Sequence, residues 1–157
     1  MTSAAASPRS LPGPDLLHLE RQLPESERER LHAITGHLQA EVRHQSVDAW
    51  NKEELPRHLL PALAELGLGQ VAQDGSSRLF QGLVHAQIAR ADISLSALLG
   101  IHNELIVGTI AAFGSPEQQE TWLPGLMKLE RLGALCLTEP DHGSDIAGGL
   151  ATTATRD

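Results

Sequence analysis

Between Asp92 and Gly114 the chain presents a start signal, an apolar cylinder and a stop, and then starts again immediately at Ser115-Pro116-Glu117-Gln118. Asp92 is placed to accept from the unpaired N–H groups of a first helical turn. Leu95, Leu98, Leu99, His102, Leu105, Ile106, Ile110 and Phe113 form one predicted face, and Ile93, Ile101, Val107 and Ala111 carry apolar character around the rest. A helix apolar on nearly every side must be surrounded by other elements, so the chain is constrained to a helical assembly around this segment. Gly114 ends it. Ser115 as N-cap, Pro116 at the first helical position and Gln118 three residues after the cap then predict a capping box and a further helix.

The flanking sequence supplies the partners. Leu31, Ile34, Leu38, Val42 and Val47 recur at helical spacing, predicting a first helix over about Glu25 to Trp50 with acidic residues in its first turn. A second is predicted over Lys52 to Leu66, with Pro56 in its first turn and Gly67 at its end. Leu79, Leu83, Val84, Ala86 and Ile88 predict a third, ending near Ala91. The helix begun at Pro116 carries Trp122, Leu123, Leu126 and Leu129, and Pro124 should break or kink it after Leu123. Beyond Arg131 the pattern changes to two short segments of strand character, Gly133 to Thr138 and Leu150 to Arg156. Two strands alone are marginal in water. The expected fold is therefore mainly α, a helical domain over 24–131 followed by the opening strands of an incomplete β-domain over 132–157, with 1–23 a disordered tail.

Composition excludes several classes. The chain has 157 residues with 12 Lys and Arg against 20 Asp and Glu, a formal charge of -8 with basic residues scattered, which argues against nucleic acid as a partner. Glu104 interrupts the apolar middle, and the uncharged run Leu105 to Phe113 is far shorter than the roughly 20 residues that span a bilayer, so no membrane span is expected. Met1 to Pro14 lacks an apolar core and reads as neither a secretory signal nor a good transit peptide. Cys136 is the only cysteine, which fits a reducing compartment, with the bacterial cytoplasm the simplest setting and the mitochondrial matrix the second.

The segment with most chemical content is Ala134-Leu135-Cys136-Leu137-Thr138-Glu139-Pro140-Asp141-His142-Gly143-Ser144-Asp145. A strand would deliver Thr138 into a turn where Gly143 permits close backbone approach and Ser144 offers a hydroxyl and an N–H, a design suited to a phosphate or to the edge of a flat ring. The plain alternative is a polar turn without function. Asp141, His142, Ser144 and Asp145 hold the letters of a hydrolase triad, but such triads converge from distant segments, and His142 reads as a solvated or loop-packing residue. His37, Glu41 and His44 share a helix face without the further ligands a metal site needs, so no metal is expected. His102 reads first as a buried histidine with a satisfied hydrogen bond, and Cys136 as an inert buried thiol. Trp50 and Trp122 read as core or interface residues.

Cys136 to Asp145 also resembles the signature of the acyl-CoA dehydrogenase flavoproteins: small residue, aliphatic, Thr138-Glu139, two residues, a small residue, then Gly143-Ser144-Asp145. His142 departs from it, standing where the family prefers Gly, Ser, Ala or Asn. Ile101 to Leu105, Phe113 to Gln119 and Trp122 to Pro124 are similar to the family's long helix, glycine stop and following helix. The resemblance covers about Glu25 to Asp157. It implies FAD lying between a helical domain, a β-domain and a C-terminal bundle. Leu135, Leu137 and Thr138 would line the flavin, Gly143 and Ser144 would approach its pyrophosphate, and Ser144 would also approach the acyl-CoA. Leu95, Leu98, Leu99 and His102 would wall the acyl pocket. The implied reaction is α,β-dehydrogenation of an acyl-CoA thioester, in homo-oligomers that pass electrons to an electron-transferring flavoprotein. The catalytic base is expected beyond Asp157, so no catalytic residue is assigned and the chain alone is expected to be inactive. The competing reading is a non-catalytic helical interaction module, or a remnant of such an enzyme, binding a protein partner.

Overall fold

A computed structural model of the chain describes residues 15–155. The part of the expected tail over 1–14 lies outside these residues. A single 3-10 turn, Leu19–Gln22, precedes the first long helix, and Leu23 is buried. That helix is continuous but mixed: α1 (Glu25–His37), a π-helical turn (Leu38–Val42) and α2 (Arg43–Asn51). Leu31, Ile34, Leu38 and Val42 are buried, as their spacing predicts. The expected last member of the stripe, Val47, is exposed, and Ser46 occupies the buried position.

The second predicted helix is shorter than its apolar pattern. The chain leaves α2 through Lys52 and Glu53, the latter at φ 56°, with Glu54 N–H bonded to the Ala49 carbonyl and Glu53 N–H to the Trp50 carbonyl. This closing motif satisfies the last carbonyls and stops the helix. Pro56 precedes the 3-10 turn Arg57–Leu59, and α3 (Leu60–Glu65) follows. Gly67, at φ 75°, closes α3 with the same pair of bonds, from Leu68 N–H to the Leu63 carbonyl and from Gly67 N–H to that of Ala64.

A polar corner joins the loop after α3 to α1. Arg30 donates to Asp74 at 2.6 Å and to Ser76 Oγ at 3.1 Å, and its guanidinium lies 5.0 Å from the Phe80 ring centroid. The Glu27 carboxylate accepts from Ser77 N–H and Ser77 Oγ, both at 2.6 Å. Ser77 in turn caps α4 (Arg78–Ala91) by accepting from Phe80 N–H. The apolar spacing that predicts this helix gives no start signal for it; the Ser77 cap supplies one.

Asp92 caps the next helix, its Oδ1 accepting from Leu95 N–H at 2.7 Å. The helix continues as α5 (Ile93–Gly100), a π-helical turn (Ile101–Val107) and α6 (Gly108–Phe113). By length and apolar composition alone, Ile93–Phe113 could cross a bilayer. Its inner side is instead a core face: Leu95, Leu99, His102, Asn103 and Val107 are buried. The predicted face is right only in its first half. The extra residue in each π-helical turn moves the later positions around the axis, so Leu105 and Phe113 are exposed and Val107 turns inward.

The capping box at Ser115 and Gln118 is complete, with Ser115 N–H on Gln118 Oε1 and Gln118 N–H on Ser115 Oγ. α7 (Pro116–Met127) runs through Pro124 rather than breaking there. Proline removes one bond from the ladder. The turn beyond it is held by burial of Leu126 and Leu129 and by a closing motif in which Glu130 N–H bonds the Gly125 carbonyl and Leu129 N–H that of Leu126. Trp50 and Trp122 are both exposed, not core, and the Arg131 guanidinium covers Trp122 at 5.2 Å from its centroid.

One apolar cluster unites these helices, drawing Leu31, Ile34, Leu38, Leu63, Phe80, Val84, Ile88, Leu95, Leu99 and Leu129 together. Among the described residues no strand forms. Gly133 to Thr138 and Leu150 to Thr155 are irregular, and Arg156 lies outside the described residues. A strand exists only as a member of a ladder, and neither segment has a backbone partner along its length. The short helix α8 (Ile146–Gly149) lies between them.

Candidate signature loop and its anchorage on the helical body

The candidate loop leaves the helical body at a tight joint. Leu132 packs against the core cluster. A Cβ built on Gly133 would fall 3.1 Å from Ile106 Cγ1, 3.2 Å from its Cβ and closer still to its Cγ2. Glycine is required there because its backbone rests on the Ile106 side chain of the long helix, leaving no room for a Cβ.

Beyond the joint, Leu135 and Leu137 are exposed, and so are Cys136 and Thr138. The expectation of a buried thiol at Cys136 is overturned. Burial of an apolar strand comes from a sheet face covering it, and this segment is unpaired. Leu135 and Leu137 nevertheless alternate with Cys136 as a half-buried strand would, leaving apolar surface and a run of peptide groups for a flat ligand or a neighbouring strand.

The loop proper is tied by its own side chains. Glu139 N–H donates to the His142 carbonyl at 2.9 Å, and His142 N–H returns a bond to the Glu139 carbonyl at 3.3 Å. His142 Nδ1 lies 2.8 Å from Asp145 Oδ2, and Asp145 Oδ1 accepts from Gly143 N–H at 3.0 Å. His142 is thus a loop-packing residue, and Ser144 has no hydrogen bond to it. The Glu139 carboxylate accepts from Ala151 and Thr152 N–H, each at 2.8 Å. Hydrogen bonds hold both acids below their ordinary range: for Glu139 those from Thr152 come first and then Ala151, and for Asp145 the one from His142 leads. A carboxylate so stabilised is a poor proton acceptor. Gly149 packs directly on the His142–Asp145 pair, since a Cβ there would lie 2.6 Å from His142 Nδ1 and closer to Asp145 Oδ2.

Two residues of the loop stay open. Gly143 has nothing within 4 Å of where a Cβ would stand. Ser144 is exposed, and neither it nor Thr138 has a hydrogen-bond partner among the described residues. The free hydroxyls of Thr138 and Ser144, the open backbone at Gly143 and the exposed Leu135 and Leu137 would offer polar, backbone and apolar contacts to a flavin. One feature fits less well: Gly143 N–H is already given to Asp145, so Ser144 is the donor left for an anionic linker.

The second group of expected site residues sits elsewhere. Leu95 and Leu99 are fully buried in the core cluster, and His102 is 1% exposed with Nε2 2.9 Å from the Leu126 carbonyl. Only Leu98 reaches partway to the surface. Asn103, unmarked by any pattern, is buried beside His102 and donates through Nδ2 to the Leu68 and Leu99 carbonyls at 2.8 and 2.9 Å. It pins the loop after α3 to the long helix. Glu139 stands in the signature pattern, but its tie to Ala151 and Thr152 carries no sequence signal; the Gly148-Gly149 pair carries a turn signal, and Gly133 none beyond residue type.

Residues 24–130 match the family model for the acyl-CoA dehydrogenase, N-terminal domain. The chain is 41% identical over 117 residues to the mitochondrial isobutyryl-CoA dehydrogenase of Dictyostelium discoideum, an alignment covering 70% of this chain and 28% of that protein. Its fold is similar to the crystal structure of glutaryl-CoA dehydrogenase from Mycobacterium smegmatis, with a TM-score of 0.80 and 35% identity over 91% of this chain and 38% of that one. A glutaryl-CoA dehydrogenase from Mycobacterium smegmatis solved in complex with FADH2 is similar at a TM-score of 0.76 and 26% identity, covering 85% of this chain and 36% of that one. The chain spans between a quarter and two fifths of the length of these relatives.

Proposed function

The chain belongs to the acyl-CoA dehydrogenase family, and we propose that it contributes the helical domain and the first flavin-facing segment of an enzyme that removes hydrogen across the α,β bond of an acyl-CoA thioester. The observation that carries this is the Ala134–Ser144 segment, which leaves Leu135, Leu137, Thr138 and Ser144 open at the surface while its own acids close the loop behind them. The fold's similarity to a dehydrogenase solved with FADH2 supports FAD as the cofactor. When bound, the flavin would supply the two-electron acceptor for the β-hydrogen.

In this reading Leu135 and Leu137 give apolar contact to the ring system and Thr138 bonds its edge. Gly143 leaves room for the linker, and Ser144 donates to the pyrophosphate and faces the acyl-CoA. Leu98 walls the acyl pocket directly, with Leu95, Leu99 and His102 fixing it from the core. Glu139 is assigned no proton transfer, because its carboxylate is engaged on the Ala151 and Thr152 N–H groups. The segments from 132 onward pair within a β-domain, and residues 24–131 form the helical domain. Electron transfer to an electron-transferring flavoprotein, homo-oligomerisation and a reducing compartment, bacterial cytoplasm or mitochondrial matrix, complete the proposal.

A titration of the chain with FAD, followed by flavin fluorescence and visible absorbance, tests it. Saturable binding that weakens in Thr138→Ala and Ser144→Ala supports the assignment. Saturable binding indifferent to both would remove these residues from the site, and no binding would refute the reading for these residues on their own.

A second reading, an interaction module acting through its surface, has one observation in its favour. Ile93, Ile101, Leu105, Phe113 and Trp122 are exposed along α5 to α7, and apolar patches of this kind commonly meet partners. Light scattering after size exclusion tests it: a monomer that leaves apolar dyes unbound would count against this face as an interface.

A further inference from the structure

Glu139 is the residue at which both sides of the signature loop meet. Its main chain exchanges two hydrogen bonds with His142, closing the near turn. Its side chain reaches the returning stretch of chain, where the Ala151 and Thr152 N–H groups converge on its two oxygens, Oε2 and Oε1, at 2.8 Å each. Successive N–H groups aimed at one anion form a backbone nest, and charge-assisted bonds of this type are about twice as strong as neutral ones. Between the two tethers lie Gly143 and Ser144, one with open space where a side chain would stand and the other with no hydrogen-bond partner among the described residues.

We propose that Glu139 is a positioning residue whose carboxylate clips Ala151 and Thr152 to the Thr138 end of the loop, holding the chain on both sides of Gly143–Ser144 while leaving those two residues free for ligand. What the loop is held ready for rests on the flavin reading; the clip itself does not. The arrangement also accounts for a glutamate in a segment where no proton transfer is assigned to it. Its oxygens are occupied by the loop's own backbone, so the acid acts through the geometry of Thr138, Gly143 and Ser144. His142–Asp145 braces the same turn from inside, with Gly149 packed on the pair.

The test is residue-resolved amide hydrogen exchange and amide proton shifts on the ligand-free chain, comparing wild type with Glu139→Gln and Glu139→Ala, alongside an FAD titration of each. Glutamine keeps the length but replaces one acceptor oxygen by a donor facing an N–H. Protection at Ala151 and Thr152 should fall about tenfold or more in both variants, with their amide protons moving upfield while the signals of α7 and the melting of the helical body stay unchanged. FAD affinity should fall several-fold in parallel. If wild type shows no protection at Ala151 and Thr152, or if both variants retain it, the clip is overturned whatever happens to FAD. If the variants lose protection while wild type binds no FAD, the clip stands and the flavin reading fails for these residues on their own.

Discussion

Leu129 sets two opposing energies against each other at one residue. It ends α7 at φ 55°, in the left-handed region, and is 5% exposed with its side chain in the core cluster. A non-glycine residue in that conformation costs about 1–2 kcal/mol, and truncating a buried leucine to alanine costs about 2–5 kcal/mol. Leu129→Ala keeps the unfavourable φ and loses the burial, so it should destabilise by about 2–5 kcal/mol. Leu129→Gly loses the same burial but recovers the backbone cost, so it should be more stable than the alanine variant by about 1 kcal/mol, or about 2–4 °C in Tm for a chain of this size. That order is the reverse of the usual one, in which glycine costs about 0.5–1 kcal/mol more than alanine inside regular structure. Urea unfolding of the three proteins, with equal m values as the check that the same transition is compared, measures it. A glycine variant less stable than the alanine variant would refute the argument, because it would mean the closing motif at Glu130 and Leu129 carries no backbone cost for glycine to relieve.

Glu53 has the same backbone conformation, φ 56°, without the burial, so Glu53→Gly should raise stability by about 1 kcal/mol, read as a higher urea midpoint. Burial pushes the Asp74 carboxyl up, but hydrogen bonds from Ser76 and Arg30 outweigh it and hold its pKa below the ordinary 3.8. A depressed folded value means the stabilisation is fully present above 3.8 and is lost as pH falls through that lower value. Asp74→Asn should therefore flatten the acid limb of stability against pH, and a limb as steep as wild type would refute this. Cys136 is exposed, so one thiol should react with a disulfide reagent in the native chain at a rate close to that of the urea-unfolded protein; a rate lower by orders of magnitude would show that the segment is covered.

The helix starts were the most legible features, because each is a local contest settled by a few residues. Asp92, and Ser115 with Gln118, bind the N–H groups their side chains can reach without help from the rest of the fold. Gly67 announced its stop for the same reason, whereas Glu53 and Leu129 perform the same turn with side chains that carry no such signal. Periodicity failed where the helix changed pitch: a fixed 3.6-residue repeat carried through Ile101–Val107 sends Leu105 inward and Val107 outward, the opposite of what occurs. Pro124 read as a break because a proline rule has no knowledge of the burial that follows at Leu126 and Leu129. The signature loop was visible as a string of residue types, but its closure was not. Glu139 reaches residues twelve and thirteen positions away, and Gly133 is needed because of Ile106, so both roles come from neighbours distant in sequence.

The contact of Gly133 with Ile106 makes the loop an extension of the long helix rather than a pendant to it. Between the two backbones stands only the Ile106 side chain, branched at Cβ and stiff about its first torsion, so a shift of the helix at its π-helical turn presses directly on Gly133, from which Ala134 departs. The core and the Ala134–Thr138 segment thereby share one mechanical coordinate at that joint. A fluorophore on Cys136, three positions beyond the joint, becomes a gauge of that coordinate: it will register strain introduced at Asn103 or Val107, deep in the helices, before the fold itself gives way.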